Sequence, residues 1–333
     1  MKEITIKKEN EYLSEFAAKS QNCRGRLRPE QPCPMRTDFQ RDRDRIIYSK
    51  AFMRLKNKTQ VFFSPEGDHY RTRLSHTLDV SQVARSIARA LCLNEDLAEA
   101  IALGHDLGHT PFGHSGERCL DKLCSKGFRH NEQSLRVVDV LEKNGRGLNL
   151  TIEVRDGILN HKISGNPITL EGQAVSLADR ISYVSHDIDD AVRAGIITEN
   201  DLPEDAVKIL GATTRERINI MINSIYRESF GKNYVRMEKE VSDALSVMRD
   251  FMFRYVYSTK QAQGEERNAM RMLDALFAFY MKDPSRLPEF YVSLIDNCGV
   301  EQAVCDYISS MTDRYAVFTF EQYFVPKSFY VKG

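Results

Sequence analysis

Apolar residues that recur at three- and four-residue steps most constrain the fold of this chain. Between Leu74 and Leu91 they line one side of the segment, and between Glu95 and Gly104 they are denser still. This spacing is typical of amphipathic α-helices, whereas a half-buried strand alternates apolar and polar residues. No alternation of that kind is long enough to support a large sheet. The pattern therefore predicts an all-α protein.

The same periodicity predicts helices along most of the chain. They are expected at residues 38–56, 74–92, 95–104, from about 115, and at 131–143, 151–161, 171–195, 213–230, 235–259, 265–282 and 299–312. Asp38 is expected to cap the first of them. Residues 61–70 are apolar and then turn-rich, which indicates a short strand and a loop.

Three regions follow from this pattern. Residues 1–35 are expected to be irregular, because the prolines at positions 29, 32 and 34 interrupt regular structure. Residues 36–200 are expected to form a helical core that carries the chemistry. Residues 201–333 are expected to form a C-terminal helical region packed on that core.

Composition excludes several classes of protein. With 42% apolar residues and no net charge the chain is not disordered. No stretch approaches the roughly 18 uninterrupted apolar residues of a membrane span, and the first residues lack the apolar core of a secretory signal. Seven cysteines without a CxxC pair argue against a disulfide framework or a zinc ribbon. Reduced thiols and a cytoplasmic location are expected instead.

Charge is distributed unevenly despite the overall neutrality. Residues 24–73 contain thirteen Lys and Arg against six Asp and Glu, a local net charge of +7. Such a block predicts a site for a polyanion, with nucleotide phosphates or nucleic acid as the candidates, although a solvated charged face is the plainer interpretation.

Histidines concentrate in one short segment. Three of the eight lie between residues 105 and 114, and the adjacent His105 and Asp106 close an apolar helix. Together they offer a nitrogen and an oxygen donor, which suits Mn, Fe, Ni, Zn or Mg. Two ligands do not fill an octahedral ion. His76 and Asp179, polar residues in apolar helical surroundings, are the further candidates.

These four residues match the metal-binding pattern of the HD-domain phosphohydrolase superfamily. The segments 36–62, 67–91, 105–117 and 306–316 resemble the bacterial deoxyguanosine triphosphate triphosphohydrolase (dGTPase) family more specifically, and the similarity covers nearly the whole chain. The resemblance implies an HD-domain helical fold with a C-terminal helical extension. It also implies a hydrolase acting on triphosphoric monoester bonds, which converts a dNTP, with dGTP expected, to deoxynucleoside and triphosphate.

The resemblance also assigns roles to individual residues. A divalent metal (Mn, Mg, Fe, Ni or Zn) would be held by His76, His105, Asp106 and Asp179. The catalytic residues would be His114 with its acidic partner Glu117, together with His109 and, by similarity to vertebrate dNTP hydrolases that carry a SAM domain, His130. Similarity to the same vertebrate relatives also implies the substrate contacts: Gln60 to the sugar 3′-hydroxyl, Arg73 and Arg180 to phosphate, Tyr183 beside the sugar, and Asp187 to the phosphate or sugar region.

The chemistry requires these residue types independently. Cleavage on the nucleoside side of the α-phosphorus expels a 5′-alkoxide, which needs a proton that a histidine supplies near neutral pH. Glu117 lies three residues after His114, so a helix would place both on one face. Tyr183 follows Asp179 by one turn and would close the space of a 2′-hydroxyl. Arg215 and Arg217 are weaker candidates for triphosphate contacts, and a structural role is expected for His186.

Two other functions stay open at this point. One is another HD-superfamily nucleotide phosphohydrolase, a nucleotidase or a phosphodiesterase, which the released product would distinguish. The other is a non-catalytic protein that binds nucleic acid through the basic block, although a nucleic-acid partner is not required. A homo-oligomer without membrane attachment is expected, because the run from Ala316 to Val325 is rich in apolar residues and the resemblance favours assembly.

Overall fold

The computed structural model describes residues 1–60, 71–257 and 260–326, and the regular structure in these ranges is helical. The all-α prediction is therefore confirmed. In chain order the α-helices are α1 Lys2–Tyr12, α2 Asp38–Ile47, α3 Lys50–Arg54, α4 Arg73–Ala90, α5 Glu95–Gly104, α6 Gly113–Leu123, α7 His130–Arg136, α8 Glu142–Gly145, α9 Ile152–Asn160, α10 Leu170–Arg193, α11 Glu204–Leu210, α12 Thr214–Ser229, α13 Lys239–Met252, α14 Lys260–Lys282, α15 Glu289–Cys298, α16 Val300–Ser310 and α17 Asp313–Phe324. The predicted strand at 61–70 lies outside the described residues.

The helix predicted for residues 38–56 is divided in two. Thr37, rather than Asp38, caps α2, since its hydroxyl accepts from the Gln40 amide in a capping box. Helix α2 ends before Tyr48, and the Ser49 hydroxyl then caps α3 by accepting from the Phe52 amide at 3.1 Å. The apolar spacing alone did not reveal this second cap.

The prediction that residues 1–35 are irregular is wrong for the first part of that segment. Helix α1 forms there, and its buried Glu9 accepts hydrogen bonds from the Ser20 amide and hydroxyl, both at 2.7 Å. The Asn94 side chain also donates to Glu9, at 3.2 Å. Because Ser20 and Asn94 lie outside α1, the periodicity of residues 1–35 did not indicate this helix. Helices α11, α15 and α17 were not predicted either.

Two hydrophobic cores organise the described residues. The first includes apolar side chains of α2, α4, α5, α9 and α10, and continues into α11, α12 and α13. The second includes α6, α14, α16 and α17. Helix α6 therefore packs with the C-terminal helices although it lies early in the sequence. The packing crosses the boundary predicted near residue 200, and the three predicted regions stay a prediction.

One disulfide joins the two ends of the second core. Cys124, directly after α6, is bonded to Cys305 in α16, 181 residues later. The expectation that the thiols are reduced is therefore wrong for this pair. The sequence did not predict the bond, because two cysteines so far apart form no recognisable spacing motif. Cys23, Cys33 and the other described cysteines are free. Among the described helices, none has the length and apolar character needed to cross a membrane.

Candidate active site

Four nitrogen and oxygen donors meet between three helices of the first core. They are His76 in the first turn of α4, His105 and Asp106 after α5, and Asp179 within α10, and together they are called the donor cluster here. His76 Nε2 lies 3.1 Å from Asp179 Oδ1. His105 Nε2 lies 3.5 Å from Asp106 Oδ2 and 3.8 Å from Asp179 Oδ1. The structure thus brings all four predicted metal ligands to one place.

The donor cluster fits a divalent metal. His105 Nδ1 donates to the Ala102 carbonyl at 2.6 Å, so the lone pair of this ring is on Nε2. That Nε2 is buried, has no hydrogen-bond partner among the described residues, and faces both carboxylates. Buried polar nitrogens normally have a hydrogen-bond partner, and a cation bound between the carboxylates would be the partner of this one.

Both carboxyl groups of the donor cluster are held ionised. Burial by itself would raise the pKa of Asp106, but His105 and Arg73 outweigh it and place that pKa well below its usual range. Burial also opposes ionisation of Asp179, yet the hydrogen bond with His76 lowers its pKa. The cluster therefore presents anionic oxygens beside imidazole nitrogens, the mixed set that first-row divalent ions accept.

Arg73, predicted to contact phosphate, is buried against the donor cluster. Its NH1 donates to Asp106 Oδ2 at 2.6 Å, and its NH2 donates to the Thr59 carbonyl at 3.3 Å. The guanidinium thus orients a carboxylate of the cluster in this structure.

A second group, called the histidine cluster here, consists of His109, His114, Glu117 and His130. Glu117 Oε2 lies 3.3 Å from His114 Nδ1, and Glu117 accepts from the main-chain and side-chain nitrogens of His130 at 3.0 Å. Burial would raise the pKa of Glu117, but these hydrogen bonds hold it well below its usual range. An ionised carboxylate only accepts, so both rings carry a proton on Nδ1 in these bonds. Nε2 of His114 is then the ring atom available for chemistry.

His109, a member of the histidine cluster, connects it with the donor cluster. It is buried and stacks on His130, with ring centroids 4.4 Å apart. Burial, together with the charge of Arg73, places the pKa of His109 well below its usual range. This ring is therefore neutral. A His109 ring nitrogen lies within 4.8 Å of a carboxylate oxygen of Asp106, and a His109 ring nitrogen lies within 4.8 Å of one of His114.

His161, to which the sequence assigned no role, also lies at the site. Its Nδ1 donates to the Ile158 carbonyl at 2.8 Å, and its Nε2 lies 3.3 Å from His130 Nε2. Burial lowers its pKa to about 3, so the ring is neutral. Lys162, the next residue, places Nζ 3.7 Å from Glu117. Both follow the end of α9, and no spacing relation to the other histidines indicated them.

A cavity of about 510 Å³ opens beside the histidine cluster. His114 and Glu117 lie on its wall, and the His114 side chain is 52% exposed. Gln60 and Tyr183, two predicted substrate contacts, line the same cavity. The Oε1 atom of Gln60 is buried without a hydrogen-bond partner among the described residues. A ligand in the cavity would have access to His114 and to these polar atoms.

The predicted sugar contacts form a small network at the cavity. The hydroxyl of Tyr257 donates to Asp187, and the rings of Tyr183 and Tyr257 lie 5.7 Å apart. Burial raises the pKa of Asp187 to about 8. The neutral form of the Asp187 carboxyl is therefore favoured at neutral pH. The sequence analysis did not identify Tyr257, because an aromatic residue in a predicted helix has no distinguishing signal.

Three other predicted residues have different surroundings. Arg180 is partly buried next to Asp179, and burial lowers its pKa. Arg217 is buried and donates to the Ala212 carbonyl at 2.7 Å and to Asp189 at 3.2 Å, so the suggestion that it contacts triphosphate is wrong. Arg215 is exposed on the same helix. His186 packs 3.1 Å from Asp79, in agreement with a structural role, and His69 lies outside the described residues.

Several arginines of the basic block 24–73 pair with carboxylates in the part of the chain that the structure describes. Arg26 pairs with Asp42, and Arg45 pairs with Glu30 at 2.7 Å, both within the block. Arg43 lies 3.3 Å from Asp96 and 3.4 Å from Glu99, two carboxylates outside the block that its charge count did not include. The interpretation of the block as a polyanion site stays a prediction.

Comparisons with known proteins agree with this geometry. The model of the HD domain matches residues 73–184, which include both clusters, and the model of a phosphohydrolase-associated domain matches residues 235–322. A curated relative from Caldanaerobacter subterraneus subsp. tengcongensis, named deoxyguanosinetriphosphate triphosphohydrolase-like protein, is 54% identical and covers 99% of this chain and 97% of its own. The chain belongs to this family.

Further relatives support the same placement. A deoxyguanosinetriphosphate triphosphohydrolase-like protein from Clostridium perfringens (strain SM101 / Type A) is 49% identical over 95% of each chain. A solved phosphohydrolase from Bacteroides thetaiotaomicron VPI-5482 has a TM-score of 0.55 at 18% identity, over 83% of this chain and 66% of that chain. At this identity the likeness shows the fold alone. The dGTPase-like family and its HD fold thus account for nearly the full length.

Proposed function

We propose that this dGTPase-like protein is a metal-dependent dNTP triphosphohydrolase, which converts a dNTP and water to deoxynucleoside and triphosphate, with dGTP the expected substrate. The observation that carries the proposal is the His114–Glu117 pair on a cavity wall, separated from the donor cluster by His109. The proton donor therefore lies on the wall of a ligand-sized cavity, and the candidate cation site lies behind it, next to His109. Both are needed when the bond broken joins a phosphorus to a sugar oxygen.

The donor cluster would hold the divalent metal (Mn, Mg, Fe, Ni or Zn). When bound, such an ion supplies charge neutralisation at phosphoryl oxygens and lowers the pKa of water. Arg73 keeps Asp106 ionised and oriented for this task, and the hydrogen bond of His105 to Ala102 keeps its Nε2 free of a proton.

His114 would act as the general acid. Its Nε2 donates a proton to the 5′-oxygen as the bond to the α-phosphorus breaks, so that the sugar leaves as an alcohol. Glu117 holds Nδ1 at 3.3 Å and stabilises the protonated ring before the transfer. The exposed His114 can then regain a proton from solvent. His130 shares Glu117 and fixes its position.

The remaining predicted contacts would select the substrate. Tyr183 lies half-buried at the cavity, one turn after Asp179, where its ring would exclude a 2′-hydroxyl. Asp187 with Tyr257 would bind sugar hydroxyls, as would the Gln60 oxygen, which lacks a partner in the part of the chain that the structure describes. Arg180 would contact phosphate.

Product identification tests this proposal. The purified protein is incubated with each of the four dNTPs and with GTP, in Mn²⁺, Mg²⁺ or Fe²⁺, and the phosphorus-containing products are followed by ³¹P NMR. We expect inorganic triphosphate and a nucleoside, with dNTPs preferred over GTP. Release of a nucleoside monophosphate with pyrophosphate would favour another HD nucleotide phosphohydrolase instead.

A cytoplasmic homo-oligomer remains part of the proposal. Helix α17 exposes Val317, Phe318 and Phe324, which supports a second copy as its partner. Light scattering at micromolar concentration should give a mass above the 38.2 kDa of one chain. A monomer would contradict this assignment of the α17 surface.

A further inference from the structure

The segment that leads into α6 has an unusual backbone. Phe112, the residue before the helix, has φ +61°, and Gly113 has φ +55°. Glycine adopts such angles at little cost, whereas a phenylalanine there is held by its surroundings. His114 is the next residue, so the direction of its side chain depends on this turn.

The C-terminal region supplies the group that holds the turn. Asp313, the first residue of α17, accepts from the Phe112 amide at 3.0 Å through Oδ1. Its Oδ2 accepts from the Thr59 amide at 2.9 Å and from the Thr59 hydroxyl. One buried carboxylate thus connects α17 with two chain segments that flank the cavity.

A second bridge acts on the same segment. Lys58 is buried, and its Nζ donates to the His109 carbonyl and, at 2.7 Å, to the Ser309 carbonyl. The loop from His109 to Phe112 is therefore linked at one end to α16 through Lys58 and at the other end to α17 through Asp313. Packing agrees, because Phe112 and α6 belong to the second core together with α14, α16 and α17.

We propose that Asp313 is a positioning residue for His114: by accepting from Phe112 and Thr59, it fixes the left-handed turn that aims the proton donor into the cavity. This inference rests on the proposed function for its catalytic consequence. It makes the C-terminal region a required part of the active site rather than an added support. The donor cluster, in contrast, is built on α4, α5 and α10, and its four side chains make no hydrogen bond to this carboxylate among the described residues.

Asp313→Asn tests the inference with a matched control. An amide retains one acceptor oxygen but directs an NH₂ group at a donor. Glu9→Gln makes the same change elsewhere: Glu9 is 8% exposed against 7% for Asp313, and it too accepts from the amide and hydroxyl of one residue, Ser20. We expect kcat of Asp313→Asn to fall about 10–100-fold, with KM within threefold and metal content unchanged. Glu9→Gln should keep kcat within twofold at a similar loss in unfolding temperature.

Hydrogen–deuterium exchange separates the inference from the proposed function. In Asp313→Asn, peptides covering residues 110–116 should exchange at least about tenfold faster, while peptides from α10 stay unchanged. Should Asp313→Asn not fold, Thr59→Val removes the hydroxyl bond alone and should lower kcat two- to fivefold with a smaller gain in exchange. Unchanged exchange at residues 110–116 would overturn the inference. A folded Asp313→Asn whose kcat is unchanged, as expected for Glu9→Gln, would overturn it as well. A wild-type protein that releases no triphosphate would refute the proposed function, and exchange would still decide the role of Asp313.

Discussion

The donor cluster and the histidine cluster lie side by side but are built in different ways. Three long helices of the first core hold the donor cluster, whose rings and carboxylates contact one another directly. The histidine cluster depends on the start of α6, which packs with the C-terminal helices in the second core. His114 is half-exposed on a cavity wall, whereas His105 is buried.

This difference suggests a division of labour. A cation site benefits from a rigid, buried shell, since its ligands need fixed positions and low dielectric surroundings. A proton donor has to exchange protons with solvent after each turnover, so partial exposure suits it. Changes in one cluster should then leave the other largely intact, and the following predictions test that separation.

The largest effect is expected from His114→Ala. Turnover should fall by about 10²–10⁴, because the proton donor for the leaving oxygen is lost. Nucleotide affinity and metal content should stay near the wild-type values, since His114 is not part of the donor cluster. Steady-state kinetics with triphosphate detection measures the loss, and near-wild-type turnover would contradict the role of His114.

Glu117→Gln should have an intermediate effect. The amide keeps the size of the side chain but no longer supplies the charge that orients His114 and His130, so kcat should fall about 10–10²-fold. Glu266→Gln is a suitable control, because Glu266 lies on the same cavity wall and pairs with Arg118 at 2.9 Å. If both variants lose activity equally, Glu117 has no special part in the reaction.

Tyr183→Ala should weaken the preference for a deoxyribose sugar rather than lower turnover. Opening the space beside the sugar should lower the ratio of kcat/KM for dGTP over GTP about tenfold. Tyr257→Phe, which keeps a neighbouring ring and loses only a hydroxyl, should leave this steric selection unchanged. Competition assays with both nucleotides give the ratio, and an unaltered preference in Tyr183→Ala would exclude the steric explanation.

The last prediction concerns the free energy of unfolding and not catalysis. Burial raises the pKa of Glu171 to about 7, so the folded state prefers the neutral carboxyl. The neutral Glu171 carboxyl contributes fully to the free energy of unfolding below the ordinary pKa near 4.5. This contribution, about 3 kcal/mol, is lost as the pH rises through 7. Glu171→Gln should therefore lose less stability than wild type between pH 5 and 8 in thermal unfolding. Identical pH dependence of the two proteins would show that Glu171 does not titrate in this range.

The sequence predicted the donor cluster well because its signals are local. Helical periodicity placed α4, α5 and α10 to within a few residues, and polar residues in apolar helices marked His76 and Asp179. The adjacent His105 and Asp106 needed no tertiary information. The family resemblance then joined these separate signals into one site.

The supports of the histidine cluster could not be predicted in this way. Asp313 contacts Phe112, 201 residues earlier, and Lys58 contacts Ser309, 251 residues later. His161 is similarly 31 residues from His130. Such pairs depend on how helices pack, and neither periodicity nor charge counts carries that information. The partners of Arg43 outside the basic block, Asp96 and Glu99, could not be predicted for the same reason.

Metal content measured on two variants tests the division between the clusters most directly. Asp106→Ala and His114→Ala are each loaded with Mn²⁺, passed through gel filtration and assayed for bound metal and for release of triphosphate. We predict that Asp106→Ala loses the metal, because an anionic ligand is gone, while His114→Ala retains it and still loses turnover. Normal metal content in Asp106→Ala together with near-wild-type turnover in His114→Ala would contradict the account.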